Sequence, residues 1–86
     1  MLQIDDAAVE ALRDTGTIRI SAEEVDGQIE LAIDEASAPA DGDQVIERDG
    51  VRVFLDRVAT EVLSDQVLGV HAHGDHFHFT FEDQTA

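Results

Sequence analysis

Eighty-six residues with 20 acidic and 5 basic side chains carry a formal net charge of -15, and every basic residue is arginine. So negative a chain repels nucleic acid and anionic membranes, which excludes both as partners. There is no cysteine, so disulfides, thiolate nucleophiles and cysteine-ligated zinc or iron–sulfur centres are excluded within the chain.

In chain order, Leu2 to Ile4 form a short apolar entry. Asp5 then suits a helix N-cap, and Ala8, Val9 and Leu12 give the apolar face of a short helix ending near Thr15-Gly16. Two alternating runs follow, Thr17 to Ala22 and Ile29 to Ile33, separated by Asp26-Gly27. A type I′ turn there pairs Ile20 with Ile33 and Ala22 with Leu31, so the apolar faces coincide. Ala36 to Asp43 holds the only proline, small residues and two acids, and reads as a surface loop.

A second hairpin is predicted from Gln44 to Leu55 with its turn at Asp49-Gly50. It puts Ile46 opposite Val53 on one face and Glu47 opposite Arg52 on the other. Phe54 falls on the Arg52 side, where a covering helix or a partner is needed to bury it. Asp56 caps a second helix with a buried stripe of Val58, Ala59, Val62 and Leu63, ended by Ser64-Asp65. Glu82 to Ala86 are expected to form a frayed tail.

Between these last two segments lies Val70 to Phe81, which contains all four histidines. Its alternation, split by Gly74-Asp75, predicts a third hairpin in which His73 faces His76 and His71 faces His78. Directly opposed residues share a face of the sheet. His71, His73, His76 and His78 therefore project from one side, and Phe77, Phe79 and Phe81 from the other, toward the core. The order of elements predicts an α+β fold, mostly antiparallel hairpins packed with two short helices, in one domain over residues 1–86. A hydrophobic content of 43% supports a core, so the acidity does not imply disorder. The acidity itself fits either a high-salt cytoplasm or a GC-rich genome. No apolar run approaches a membrane span and the N-terminus lacks a signal pattern, so a cytoplasmic protein is expected.

The run Gly42-Asp43-Gln44-Val45-Ile46-Glu47-Arg48-Asp49-Gly50-Val51-Arg52-Val53-Phe54-Leu55-Asp56, the helix ending Val62-Leu63 and the aromatic strand after it resemble the HesB/IscA family. These are the A-type proteins of iron–sulfur cluster biogenesis. The helix Asp5 to Leu12 and the segment Gly16-Thr17-Ile18-Arg19-Ile20 resemble the family's opening and first core strand, so the likeness spans nearly the whole chain. The resemblance implies a HesB-like fold. It also implies one cysteine shortly after the first core strand and a Cys-x-Cys pair near the C-terminus. Here the first region reads Ser21-Ala22-Glu23-Glu24, and beyond Phe81 the chain offers only Glu82-Asp83-Gln84-Thr85-Ala86. The resemblance therefore implies the fold without the cluster ligands.

Two functions are expected from these readings. The first is a non-enzymatic HesB-like domain with an accessory or protein-binding role, acting on a protein partner or as a homo-oligomer. The alternative is a metal-ion binder in which His71, His73, His76 and His78 hold iron or zinc, with Asp75 or Glu82 as an added oxygen ligand. An iron–sulfur cluster is not expected without cysteine. The run from Asp41 fails as a calcium loop because Val45 and Ile46 occupy positions that require an oxygen ligand and a glycine. Ser21 and Ser64 lack a histidine nearby or a glycine elbow, so no catalytic or cofactor-binding residue is assigned.

Overall fold

Each of the three hairpins forms in the register that the sequence predicts. The computed structural model describes residues 1–84. Its elements are β1 (Gln3–Ile4), α1 (Asp6–Thr15), β2 (Ile18–Val25), β3 (Gln28–Glu35), β4 (Gln44–Arg48), β5 (Val51–Leu55), α2 (Arg57–Val62), β6 (Gln66–His73) and β7 (His76–Asp83). Ile20 pairs with Ile33 and Ala22 with Leu31. Ile46 pairs with Val53 and Glu47 with Arg52. His71 pairs with His78 and His73 with His76. The turns differ in type for a reason visible in their order. Asp26-Gly27 and Asp49-Gly50 place both residues at positive φ, the type I′ pattern. Gly74-Asp75 places only the glycine there, the type II′ pattern.

Two parallel pairings join the hairpins. β2 pairs with β5, giving a four-stranded sheet in the order β3-β2-β5-β4, and β1 pairs with β6, giving a three-stranded sheet in the order β1-β6-β7. Asp5 and Asp56 cap the two helices, accepting from the amides of Ala8 and Ala59. The core lies between the sheets and the helices. Ile18, Ile20, Val53 and Leu55 meet Val9, Leu12, Ala59, Leu63 and Leu68 there. The result is the predicted α+β arrangement of hairpins and two short helices.

Four expectations need correction. Of the α2 stripe only Ala59 and Leu63 are buried, while Val58 and Val62 are each 41% exposed. A six-residue helix packed along one line covers a single i, i+4 pair and leaves the next at the rim. Phe79 and Phe81 pack against the core, but Phe77 is 41% exposed, because β6 and β7 run on beyond the body of the protein. Glu82 and Asp83 are not frayed; they end β7, and the Gln84 amide side chain donates to the carbonyls of Met1 and Gln66. The rest of the expected tail, residues 85 and 86, lies outside the described residues. Phe54 is fully buried without a covering helix. It stands in the row Asp34, Arg19, Phe54, Val45 on the face turned away from the helices. The segment 36–43 must pass from the β3 edge to the β4 edge, and Asp43 at its end is bound to Arg19 on that face.

Candidate functional site

The histidines occupy the distal half of the β6–β7 ribbon. β1 pairs only with Val67 and Leu68, so from His71 onward β6 is paired with β7 on one side and, among the described residues, has no strand on the other. Residues 71 to 78 are all exposed. Alternation along both strands puts the four histidines on one face, as the sequence predicts. Three of the rings come together. The ring centres of His71 and His73 are 4.6 Å apart, those of His71 and His78 5.5 Å, and those of His73 and His78 5.7 Å. His76 is paired in register with His73, but its ring joins none of these contacts.

Among the described residues, no three His, Cys, Asp or Glu side chains stand arranged around one point that would hold an ion without rotating. The His73 and His78 rings lie almost parallel, 19° apart, as stacked rings do. Of the two oxygen ligands named from sequence, Glu82 is ruled out by register. It sits four residues along β7 from His78, about 13 Å at the usual rise of a strand.

Further along the histidine face, the sheet is approached closely by α1. A Cβ built on Gly69 would lie 3.0 Å from Asp5 Oδ2 and 3.1 Å from Thr80 Oγ1. Asp5 therefore both caps α1 and closes over β6, which requires a residue without a side chain at position 69. Sequence reading found the cap but not the approach, because nothing local to Gly69 announces a partner 64 positions earlier.

On the opposite side of the molecule, Arg19 holds Asp43 through two hydrogen bonds of 2.8 and 2.9 Å. The Asp43 side chain is 1% exposed. The Arg19 hydrogen bonds hold its carboxyl below the usual carboxylate range against the opposing effect of burial. This pair anchors the end of the loop to β2.

β3 forms an edge of the four-stranded sheet, and all eight of its residues are exposed. Ile29, Leu31 and Ile33, at 43%, 37% and 36% exposure, form an apolar line on the same face as the core. Sequence alternation put Leu31 and Ile33 on the same face as Ala22 and Ile20, but did not show that the line stands exposed at an edge. That β3 lies at an edge depends on the parallel β2–β5 pairing, which leaves no local signature.

The arrangement of two sheets and two helices defines a class. It is the HesB/IscA-like fold of A-type iron–sulfur biogenesis proteins, here without a cysteine. Escherichia coli SufA, described as involved in biosynthesis of iron–sulfur clusters, superposes with a TM-score of 0.82 at 19% identity, over 95% of this chain and 79% of SufA. An IscA structure holding a [2Fe-2S] cluster superposes with a TM-score of 0.75 at 18% identity, over 96% of this chain and 85% of IscA. No family model matches the sequence, and no curated protein matches it either. The region where the resemblance calls for a first cysteine, Ser21 to Glu24, lies within β2. Of the region where it calls for the Cys-x-Cys pair, Glu82 and Asp83 end β7 and Gln84 is bound to the strand's neighbours. Among the described residues no helix is long and apolar enough to cross a membrane.

Proposed function

We propose that this chain is a non-enzymatic HesB-like module of the cytoplasm that serves iron–sulfur or metal handling through protein contacts rather than by carrying a cluster. One observation carries this reading: an A-type fold over 95% of the chain with no thiol anywhere in it.

The β3 edge supplies the contact surface. The pair Val25 and Gln28 flanks a two-residue turn, so alternate residues of β3 bond to β2 and the backbone groups of Ile29, Leu31, Ile33 and Glu35 face outward. The same residues carry the apolar line. The edge holds no proline and no lysine, the usual protections against strand pairing. A second copy can pair antiparallel about Leu31. Ile29 then faces the partner's Ile33, Glu30 faces the partner's Ala32, and Gln28 faces the partner's Asp34. No two acids are directly opposed in this register, which matters for a chain of charge -15.

The test combines two measurements. Anaerobic reconstitution with ferrous iron and sulfide is expected to leave no stable cluster on the protein. Light scattering and titration against SufA are expected to show self-association or a heterocomplex that Leu31→Asp weakens at least tenfold. A retained cluster overturns the absence of carrier chemistry. A wild-type protein that stays monomeric and ignores SufA at high micromolar concentration overturns the protein-binding role.

A second reading is favoured by the histidine ribbon. The proximity of the His71, His73 and His78 rings supports binding of a metal ion in place of a cluster. Calorimetry with ferrous iron or zinc on the wild type and on a variant with all four histidines changed to alanine tests it, and equal weak binding by both sinks it.

A further inference from the structure

We infer that His71, His73 and His78, without His76, form a three-nitrogen site for a borderline divalent cation, with zinc as the probe. The inference rests on the histidine reading and narrows it. An imidazole bound at about 2.0–2.1 Å has its ring centre about 3.2 Å from the ion, so three such rings in tetrahedral directions stand about 5 Å apart. The three separations in the structure, 4.6, 5.5 and 5.7 Å, bracket that value. The ring centres already stand at suitable separations, but the near-parallel His73 and His78 rings have still to turn before both can face one ion.

Turning them inward meets little resistance. All three residues are exposed, and among the described residues none of the three rings is held by a hydrogen bond. The motion is a change of side-chain torsion with the backbone fixed. That backbone is held by the paired strands: His71 and His73 are two apart on β6, and His78 is directly across from His71. The site is therefore a property of the ribbon and not of a chain that must fold around the ion. His76 sits one position past the turn, and its ring is outside the triangle.

The donor set decides the class of ion. Three imidazoles with no thiolate suit zinc, nickel and copper, and offer nothing to calcium or magnesium, which require oxygen ligands. Three protein ligands leave a fourth position open at the exposed tip, the arrangement of sites that exchange a water or accept a further ligand. The acidic surface raises the local concentration of any cation.

The experiment is a zinc titration of wild type and of four single variants, His71→Ala, His73→Ala, His76→Ala and His78→Ala. Imidazole nitrogen shifts report which rings bind. The expected result is one ion per chain, with at least tenfold weaker binding for the changes at 71, 73 and 78 and less than twofold change at 76. Magnesium is expected to produce no imidazole shift. If His76→Ala weakens binding as much as the other three, the three-ring site is wrong while the histidine reading survives. If no single change matters although the fourfold variant has lost binding, the three-ring site is again wrong. If wild type binds no better than the fourfold alanine variant, both fail together. All four positions are exposed, so the variants are expected to fold, and far-ultraviolet circular dichroism verifies it.

Discussion

Gly69 shows how much one missing side chain can decide. Its φ is unremarkable for any residue, so its role is space and not conformational freedom. An alanine there would press on Asp5 Oδ2 and Thr80 Oγ1 and loosen the α1 cap. Gly69→Ala is expected to destabilise the protein by about 1–2 kcal/mol, the range for a lost cap or a tight insertion. In an Asp5→Ala background the same change is expected to cost less, because the nearer of its two close contacts is gone and only Thr80 Oγ1 remains. Additive costs in chemical denaturation would show that Gly69 acts on something other than the cap. Asp43 is the other residue whose surroundings fix its behaviour. Its folded pKa lies below the ordinary aspartate value of about 3.9, so its bond to Arg19 stabilises the fold fully above that value. The contribution fades as pH falls through the lower folded value. Arg19→Met is expected to cost roughly 2 kcal/mol at pH 7, a penalty that shrinks as pH falls below the ordinary aspartate range and through the lower folded value. A penalty that does not shrink on acidification while the protein stays folded would mean the ion pair is not its source.

Among elements, the hairpins were legible because each carries its own instructions. The Asp-Gly turns set register, and alternation then assigns faces without any knowledge of the rest of the fold. The same logic put all four histidines on one face. It could not separate His76 from the other three, since ring placement depends on torsions and not on register. The β1–β6 and β2–β5 pairings were not legible, because parallel strands meet across long crossovers that leave no mark between them. From that one gap follow the exposed β3 line, the overrun of the histidine ribbon and the half-exposed Phe77. The ribbon tip should accordingly behave as a separate unit. Gly74 stands at φ 58°, where a β-branched residue is strained, and among the described residues a Cβ added there would meet nothing within 4 Å. Gly74→Val is expected to raise amide exchange across residues 71–78 by roughly tenfold, about 1–2 kcal/mol of local opening. Protection of Ile20, Val53 and Leu68 is expected to stay unchanged. Loss of protection in those core residues would show that the tip is part of the cooperative core.

At the scale of the whole molecule, charge repulsion is what the fold leaves least compensated. The chain sets 20 acidic side chains against 5 arginines. Among the described residues the ion pairs are Arg13–Glu10, Arg19–Asp43, Arg48–Asp6 and Arg48–Asp49, and only Arg19–Asp43 has a buried partner. Salt therefore has few attractions to weaken and many repulsions to relieve. Adding sodium chloride is expected to raise Tm, and relief of about 1 kcal/mol corresponds to roughly 4–8 °C for a domain of this size. The shape of the curve separates screening from the general effect of salt on apolar burial. Screening is strongest where the Debye length still exceeds the spacing of surface charges, and that length falls from about 30 Å at 0.01 M to about 10 Å at 0.1 M. Most of the rise is thus expected below a few tenths molar, with a plateau beyond. A Tm that climbs linearly to molar salt with no early rise would mean that self-repulsion is not what limits stability. The same early salt dependence should appear in β3-mediated association, since two chains of like charge must approach for their edges to pair. Association that weakens with salt would instead point to a basic partner surface and count against pairing between identical edges.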